Sequence, residues 1–266
     1  MSSAAMLRAS FLAVACVALP ASATDQFEIQ VYDDDVGAPG QFGLELHTNY
    51  TVAGRSTGDY AGAVPSNHAA RLTFEPALGV TEWLELGAYL QFVQQPDFGG
   101  RFAGAKVRAK FVVPQRLGLP VHLGLNVEVG RVPAEIEQAG WANEFRPIVA
   151  WTNGWWSVAF NPLFGYALTG PEAFKLDLEP CGKVTWNTQR GFAVGAEYYS
   201  GLGLLSEGLL PLGQQEHLAF AVFELAQPRG DTSGGSGWEL NVAVGHGLTA
   251  GTEQQWIVKS IVGKAF

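Results

Sequence analysis

The chain has 266 residues, with 25 acidic against 16 basic side chains, a net charge of −9 and a pI near 5.0. Charged residues make up 15%, against roughly 25% in an ordinary soluble protein, while Gly contributes 33 residues and aromatics 12%. That balance excludes a disordered chain, a collagen-like repeat and a nucleic-acid partner, which needs a basic face.

Residues 1–23 read as a secretory signal peptide. Arg8 gives the positive region, residues 9–19 the apolar region, and Ala21-Ser22-Ala23 the small-residue cleavage site. The apolar stretch is short of the roughly 20 residues a spanning helix needs. Cleavage removes Cys16 and leaves Cys181 as the one cysteine, so no disulfide within the chain is expected. Residues 24–40 carry Asp33-Asp34-Asp35 and are too polar for lipid. They are expected either to hang in the periplasm as a lead-in or to fold inward as a plug.

From residue 41 onward the pattern has period two. The predicted strands lie near 41–51, 68–78, 82–93, 101–113, 120–130, 142–151, 155–166, 173–187, 191–200, 216–226, 237–248 and 255–266, twelve in all. In the third, Leu84, Leu86, Ala88, Leu90 and Phe92 share one face, with Glu85, Gly87, Tyr89 and Gln91 on the other. The fourth sets Ala103, Ala105, Val107, Ala109 and Phe111 against Phe102, Gly104, Lys106, Arg108 and Lys110. The fifth sets Val121, Leu123, Leu125, Val127 and Val129 against His122, Gly124, Asn126 and Glu128. In the eighth, Phe174, Leu176 and Leu178 oppose Lys175, Asp177, Glu179, Cys181 and Lys183. A helix would scatter these charges around its axis, whereas a strand gathers them on one side. Strand 216–226 has no clean polar face, and its register stays open.

Each apolar face has the length of a bilayer-crossing strand, about 9–11 residues. The expectation is an all-β fold, a transmembrane antiparallel up-and-down barrel spanning 41–266. Connections near 79–81, 152–154 and 187–190 are short, and those at 52–67, 131–141 and 201–215 are long, as in barrels with short periplasmic turns and longer outer loops. An even strand count puts both ends of the barrel in the periplasm. Residues 227–236 make one connection too long for that scheme and leave counts of ten or fourteen open.

The eight Trp fall at or near predicted strand ends. Trp83, Trp151, Trp155, Trp156, Trp186 and Trp256 are the candidate membrane girdle, because an indole suits the headgroup layer. Phe266 ends the last strand with an aromatic, the pattern by which the barrel-assembly machinery recognises its clients, although Lys264 breaks the apolar run before it.

The segments 28–33 (Glu-Ile-Gln-Val-Tyr-Asp) and 39–47 (Pro-Gly-Gln-Phe-Gly-Leu-Glu-Leu-His) resemble the opening of a group of Gram-negative outer-membrane proteins, the meta-pathway phenol-degradation family. So do 240–249 (Leu-Asn-Val-Ala-Val-Gly-His-Gly-Leu-Thr) and 256–263 (Trp-Ile-Val-Lys-Ser-Ile-Val-Gly) at the other end. The resemblance implies a transport-type barrel and a preference for aromatic or other hydrophobic solutes. It implies no catalytic residue.

With apolar faces toward lipid, the other faces line a lumen. The predicted pore-lining residues are Glu45, His47, Glu85, Lys106, Arg108, Lys110, His122, Glu128, Arg146, Glu179, Glu197 and Glu239, with Arg71, Glu75, Glu144, Lys175, Asp177 and Lys183 on the same wall. Twelve strands lie between the width that side chains fill and the width of an aqueous channel. A cross-braced, filled interior and a narrow path filtered by the Lys106/Arg108/Lys110 strand are therefore both open.

The alternative is a barrel-embedded lipid hydrolase, needing a His beside a Ser. None of His47, His68, His122, His217 and His246 lies in such an arrangement, and no metal or cofactor motif is present. Structural or adhesive barrels and a soluble secreted β-protein are further alternatives. The sequence supports a non-enzymatic channel without cofactor, whose partners are outer-membrane lipid, the assembly machinery and a small-molecule solute.

Overall fold

The computed structural model describes residues 25–225 and 237–266. The signal-peptide reading of 1–23 and the long connection at 227–236 lie outside the described residues.

Fourteen strand segments build one sheet. They are β1 (Phe42–Gly54), β2 (Ala70–Thr81), β3 (Leu84–Gln95), β4 (Gly99–Val112), β5 (His122–Arg131), β6 (Trp141–Thr152), β7 (Trp156–Asn161), β8 (Phe164–Ala167), β9 (Leu176–Leu178), β10 (Cys181–Asn187), β11 (Phe192–Gly201), β12 (Glu216–Leu225), β13 (Trp238–Gly247) and β14 (Gln254–Ala265). Two staves are interrupted by proline, which gives no amide to a ladder. Pro162 separates β7 from β8, and Pro180 separates β9 from β10. β6 pairs with β7 at one end (Val149↔Phe160) and with β8 at the other (Phe145↔Phe164). The fourteen segments thus form twelve staves, as the alternation predicted. β14 closes on β1 from Gly43↔Ala265 to Gly54↔Gln254, so no edge strand is left open.

The residues that alternate in the sequence alternate in space. On β3, Leu86, Leu90 and Phe92 are exposed outward while Glu85, Tyr89 and Gln91 are buried inside. The same inversion of apolar outside and polar inside runs round the barrel, the arrangement a strand adopts with hydrocarbon on one face and a polar interior on the other.

Two local departures have clear causes. On β4 the register shifts between Gln91 and Phe92 of the neighbouring strand, where Gln91 faces Gly104 but Phe92 faces Phe102. Ala103 is the extra residue of this bulge, and Gly104 takes a φ of 131°, a backbone shape that side chains resist. The bulge reverses the expected phase: Phe102 points outward and packs edge-on to Phe92 at 5.5 Å, while Ala103 is buried inside. On β12, the strand whose register the sequence left open, Leu218, Phe220 and Val222 face inward and are buried. They form an apolar wall with Ala243, Ile257 and Tyr199, and two residues from before the barrel, Ile29 and Val31, pack against it. An apolar inner wall beside an apolar outer face has no alternation to read.

The barrel has two unlike ends. Connections 82–83, 153–155 and 188–191 are tight turns at the end where β1 starts and β14 stops, although 113–121, with a single 3-10 turn at Gln115–Leu117, is longer. The opposite end carries 55–69, 132–140, 168–175 and 202–215, with shorter links at 96–98 and 248–253.

Candidate functional site

Residues 25–38 lie inside the barrel. The segment starts toward the loop end, where Gln26 donates to Glu253 at 2.9 Å, and descends to the turn end, where the Gly37 amide donates to Glu85 at 2.7 Å. Its main chain is held by inward side chains from around the wall. Asn49 on β1 donates to the Gln26 carbonyl, Thr73 on β2 to Phe27, Arg146 on β6 to Gln30, and Lys259 on β14 to Ile29 at 2.7 Å. Asn161 on β7 makes a double contact with Tyr32, accepting from its amide at 2.7 Å and donating to its carbonyl at 3.0 Å. These bonds satisfy backbone groups that would otherwise be buried without partners, which costs about 1–3 kcal/mol each.

Charge reinforces the fit. Asp25 is ion-paired to Lys106, and Asp34 meets His122 Nδ1 at 2.5 Å. The Asp35 carbonyl accepts from Lys110 at 2.6 Å. The Tyr32 ring sits among three cations, with Arg146 4.4 Å, Lys110 5.1 Å and Arg108 5.9 Å from its centroid, an arrangement in which the ring's negative face meets positive charge. Its hydroxyl bonds to Glu28, and Tyr89 donates to the same carboxylate at 3.2 Å.

The wall also carries ion pairs between its own strands. Glu45 and Glu75 stand directly opposite on β1 and β2, a repulsive pair if left alone. His47 lies between them, 2.9 Å from Glu75 and 3.4 Å from Glu45, and Arg108 bridges Glu75 at 2.6 Å to Glu85 at 2.7 Å. Elsewhere on the inner wall Lys259 pairs with Glu197, Arg146 with Glu144 at 2.7 Å, and Lys183 with Glu224 at 3.4 Å.

Of the predicted lining residues, Glu45, His47, Glu85, Lys106, Arg108, Lys110, His122, Glu128, Arg146, Glu179, Glu197 and Glu239 all sit at inward-facing strand positions or just beside them. Glu179 lies in the break before Pro180, and Glu239 is exposed at the turn end. Lys175 is the exception among the companions named with them. It lies in the 168–175 connection and pairs with Glu207 at 2.5 Å. Sequence reasoning did not single out Lys259, Asn161, Tyr32 and Glu28. Lys259 was legible as the one charge among the inward Ile257 and Ile261, whereas nothing local marks Asn161 as a clamp.

All eight Trp point outward and are exposed. Trp83, Trp151, Trp155, Trp156, Trp186 and Trp238 cluster at the turn end, where Trp83 stacks on Phe111, and Trp141 and Trp256 lie at the loop end. Phe266 packs on Phe42 at 6.1 Å, and the Lys264 amine sits 5.2 Å from the Phe266 ring and 5.0 Å from Trp238.

Above residues 25–27, at the loop end, lies a cavity of about 280 Å³. Burial pushes the Glu137 carboxyl there above its usual range, with Asp25 and Glu144 adding repulsion against the pull of Lys106. The Tyr60 hydroxyl is pushed up to about 12 by burial and by the neighbouring acids Glu137, Asp59 and Glu135.

No family model and no curated protein matches the sequence. Solved structures do. An outer-membrane channel from Pseudomonas putida F1 aligns at a TM-score of 0.57 and 10% identity, over 90% of this chain and all (100%) of that one. KdgM porin aligns at 0.53 and 10% identity, over 84% of this chain and 99% of that one. The fold is that of outer-membrane β-barrel channels.

Proposed function

We propose that this chain is an outer-membrane channel or facilitator for the passive passage of small molecules, closed in this conformation by its own residues 25–38. The observation that carries the reading is a sealed twelve-stave barrel with an apolar exterior and a polar lumen, in which the obstruction is a separate segment rather than the wall itself. Such a segment leaves by breaking its contacts with the wall and leaves every barrel ladder intact. The Lys106/Arg108/Lys110 strand then has two duties. It holds Asp25, Tyr32 and Asp35 when the segment is in, and presents cations to the path when it is out.

The short turns and the start of β1 and end of β14 face the periplasm in this reading, and the longer loops face outward. The Trp residues form the girdles, and Phe266 serves as the assembly signal. Aromatic or other hydrophobic compounds are the leading solute class, supported by the resemblance of both ends of the chain to the phenol-degradation family. The mechanism needs no cofactor and no energy input.

The test is current through the refolded protein in a planar bilayer, with and without phenol or toluene. Discrete steps that the aromatic partly blocks are expected, and steps indifferent to any aromatic contradict the solute class. A second reading, a structural barrel with a permanently filled lumen, is favoured by the buried pairs Lys259–Glu197 and Arg108–Glu75. It predicts a heat-modifiable protein that stays silent.

A further inference from the structure

The cavity at the loop end has a chemical character of its own. Its floor is Asp25 and Phe27, and its sides come from the 55–69, 132–140 and 168–175 connections and the adjoining strand ends. The cations that reach it are all engaged. Lys106 is held by Asp25, Arg71 donates to Thr51 at 3.2 Å and lies over the Phe27 ring, and Lys175 pairs with Glu207. Of the acids that reach it, Asp25, Asp59 and Glu144 are paired to Lys106, Arg55 and Arg146, and others are not. Among the described residues Glu137, Asp177 and Glu179 form no ion pair, although all three line the space.

Two details concern carboxylates that line this cavity. Glu128 is 2% exposed, yet its Oε2 has no hydrogen-bond partner, Lys106 standing 3.8 Å off. Gly165 lies under Asp177 and Glu179, and a Cβ at that position would come within 3.2 Å of Glu179 Oε1 and 3.5 Å of Asp177 Cβ. A side chain there would crowd the Glu179 carboxylate, while Asp177 would stay at ordinary contact distance. Between the acids, Val64, Ile136, Leu163 and Leu204 give apolar surface.

We infer that this vestibule binds a small organic cation, a protonated amine on an apolar body. The ammonium supplies the charge that the unpaired carboxylates lack, and charge-assisted bonds to it are about twice as strong as neutral ones. The body covers the apolar patches, and an anion of the same shape meets uncompensated negative charge. This goes beyond passage and does not depend on it, since the site can be occupied whether or not residues 25–38 move.

The test is calorimetric titration of the refolded chain in neutral detergent with 2-phenylethylammonium, the neutral 2-phenylethanol and phenylacetate. The ammonium is expected to bind about tenfold or more tighter than the alcohol, and phenylacetate not at all. Asp177→Asn with Glu179→Gln weakens the ammonium by about fivefold or more and leaves the alcohol unchanged. Glu82→Gln, an exposed acid paired to Arg116 at the opposite end, changes neither. If the double variant loses heat-modifiable mobility, Glu137→Gln in the loop replaces it, with the same direction expected. No ammonium binding at millimolar concentration, equal binding of ammonium and alcohol, or an equal loss in Glu82→Gln overturns the proposal. A silent bilayer in the conductance test leaves it standing.

Discussion

Asn161 gives the inner segment its most specific hold, because one side-chain amide satisfies both backbone groups of Tyr32. Asn161→Leu keeps the volume and removes both bonds, leaving a buried donor and acceptor unpaired at a cost of about 1–3 kcal/mol each. The wall does not use this amide for its ladders, so the penalty falls on the closed arrangement. The open fraction in single-channel records is expected to rise about 30-fold or more, while gel mobility before and after heating stays as in the parent. An unchanged open fraction would mean that residues 25–38 do not close the path. Arg108 has the opposite character. It is the bridge between Glu75 and Glu85, and Arg108→Met leaves two buried carboxylates without it. The expected loss of barrel stability is about 3–5 kcal/mol. It would be read as a lower temperature for conversion of the fast-running band to the slow one, and an unshifted conversion would show the bridge to be dispensable.

The strands were legible wherever lipid and water divide a segment cleanly. Leu84 to Phe92 and Val121 to Val129 put every apolar residue on one parity, and the structure places those residues outside. β7 with β8 and β9 with β10 were each legible as one long strand, because proline interrupts the ladder without changing which face comes next. Legibility fails where the inside is also apolar. Leu218, Phe220 and Val222 face Ile29 and Val31, a partner some 190 residues away in sequence that no local pattern announces. It fails again at the β4 bulge, since one extra residue reverses the parity of Phe102 and Ala103 while the residues beyond keep theirs. The bulge makes its own prediction. Gly104→Val forces a β-branched residue to φ 131° and sets its Cβ 2.7 Å from the Arg131 carbonyl oxygen. A destabilisation of about 1–3 kcal/mol is expected from the backbone alone, measurable as an earlier loss of heat-modifiable mobility. A variant as resistant as the parent would show that the bulge can relax.

At the scale of the whole molecule, twelve staves, an apolar exterior and a polar interior follow from period-two patterning and chain length, and the lumen residues follow from parity. What parity does not decide is whether the lumen is empty. Asp25, Tyr32 and Asp35 are ordinary polar and aromatic residues in sequence, and are held inside the barrel because Lys106 and Lys110 from β4 and Arg146 from β6 converge on them. The terminal strand carries a prediction for biogenesis. Phe266 packs on Phe42 beside the β1–β14 seam, and Phe266→Ala is expected to lower the amount of assembled barrel in cells while leaving refolded protein stable. Equal assembly in cells would remove the terminal aromatic as a signal. The central claim, a passive path closed by the segment before β1, is tested most directly by single-channel recording from the chain with residues 25–38 deleted beside the intact chain. Heat-modifiable mobility must first establish that both are folded. The account predicts long, discrete conducting steps from the deletion and rare openings from the intact chain, and a folded deletion variant that stays silent would contradict it.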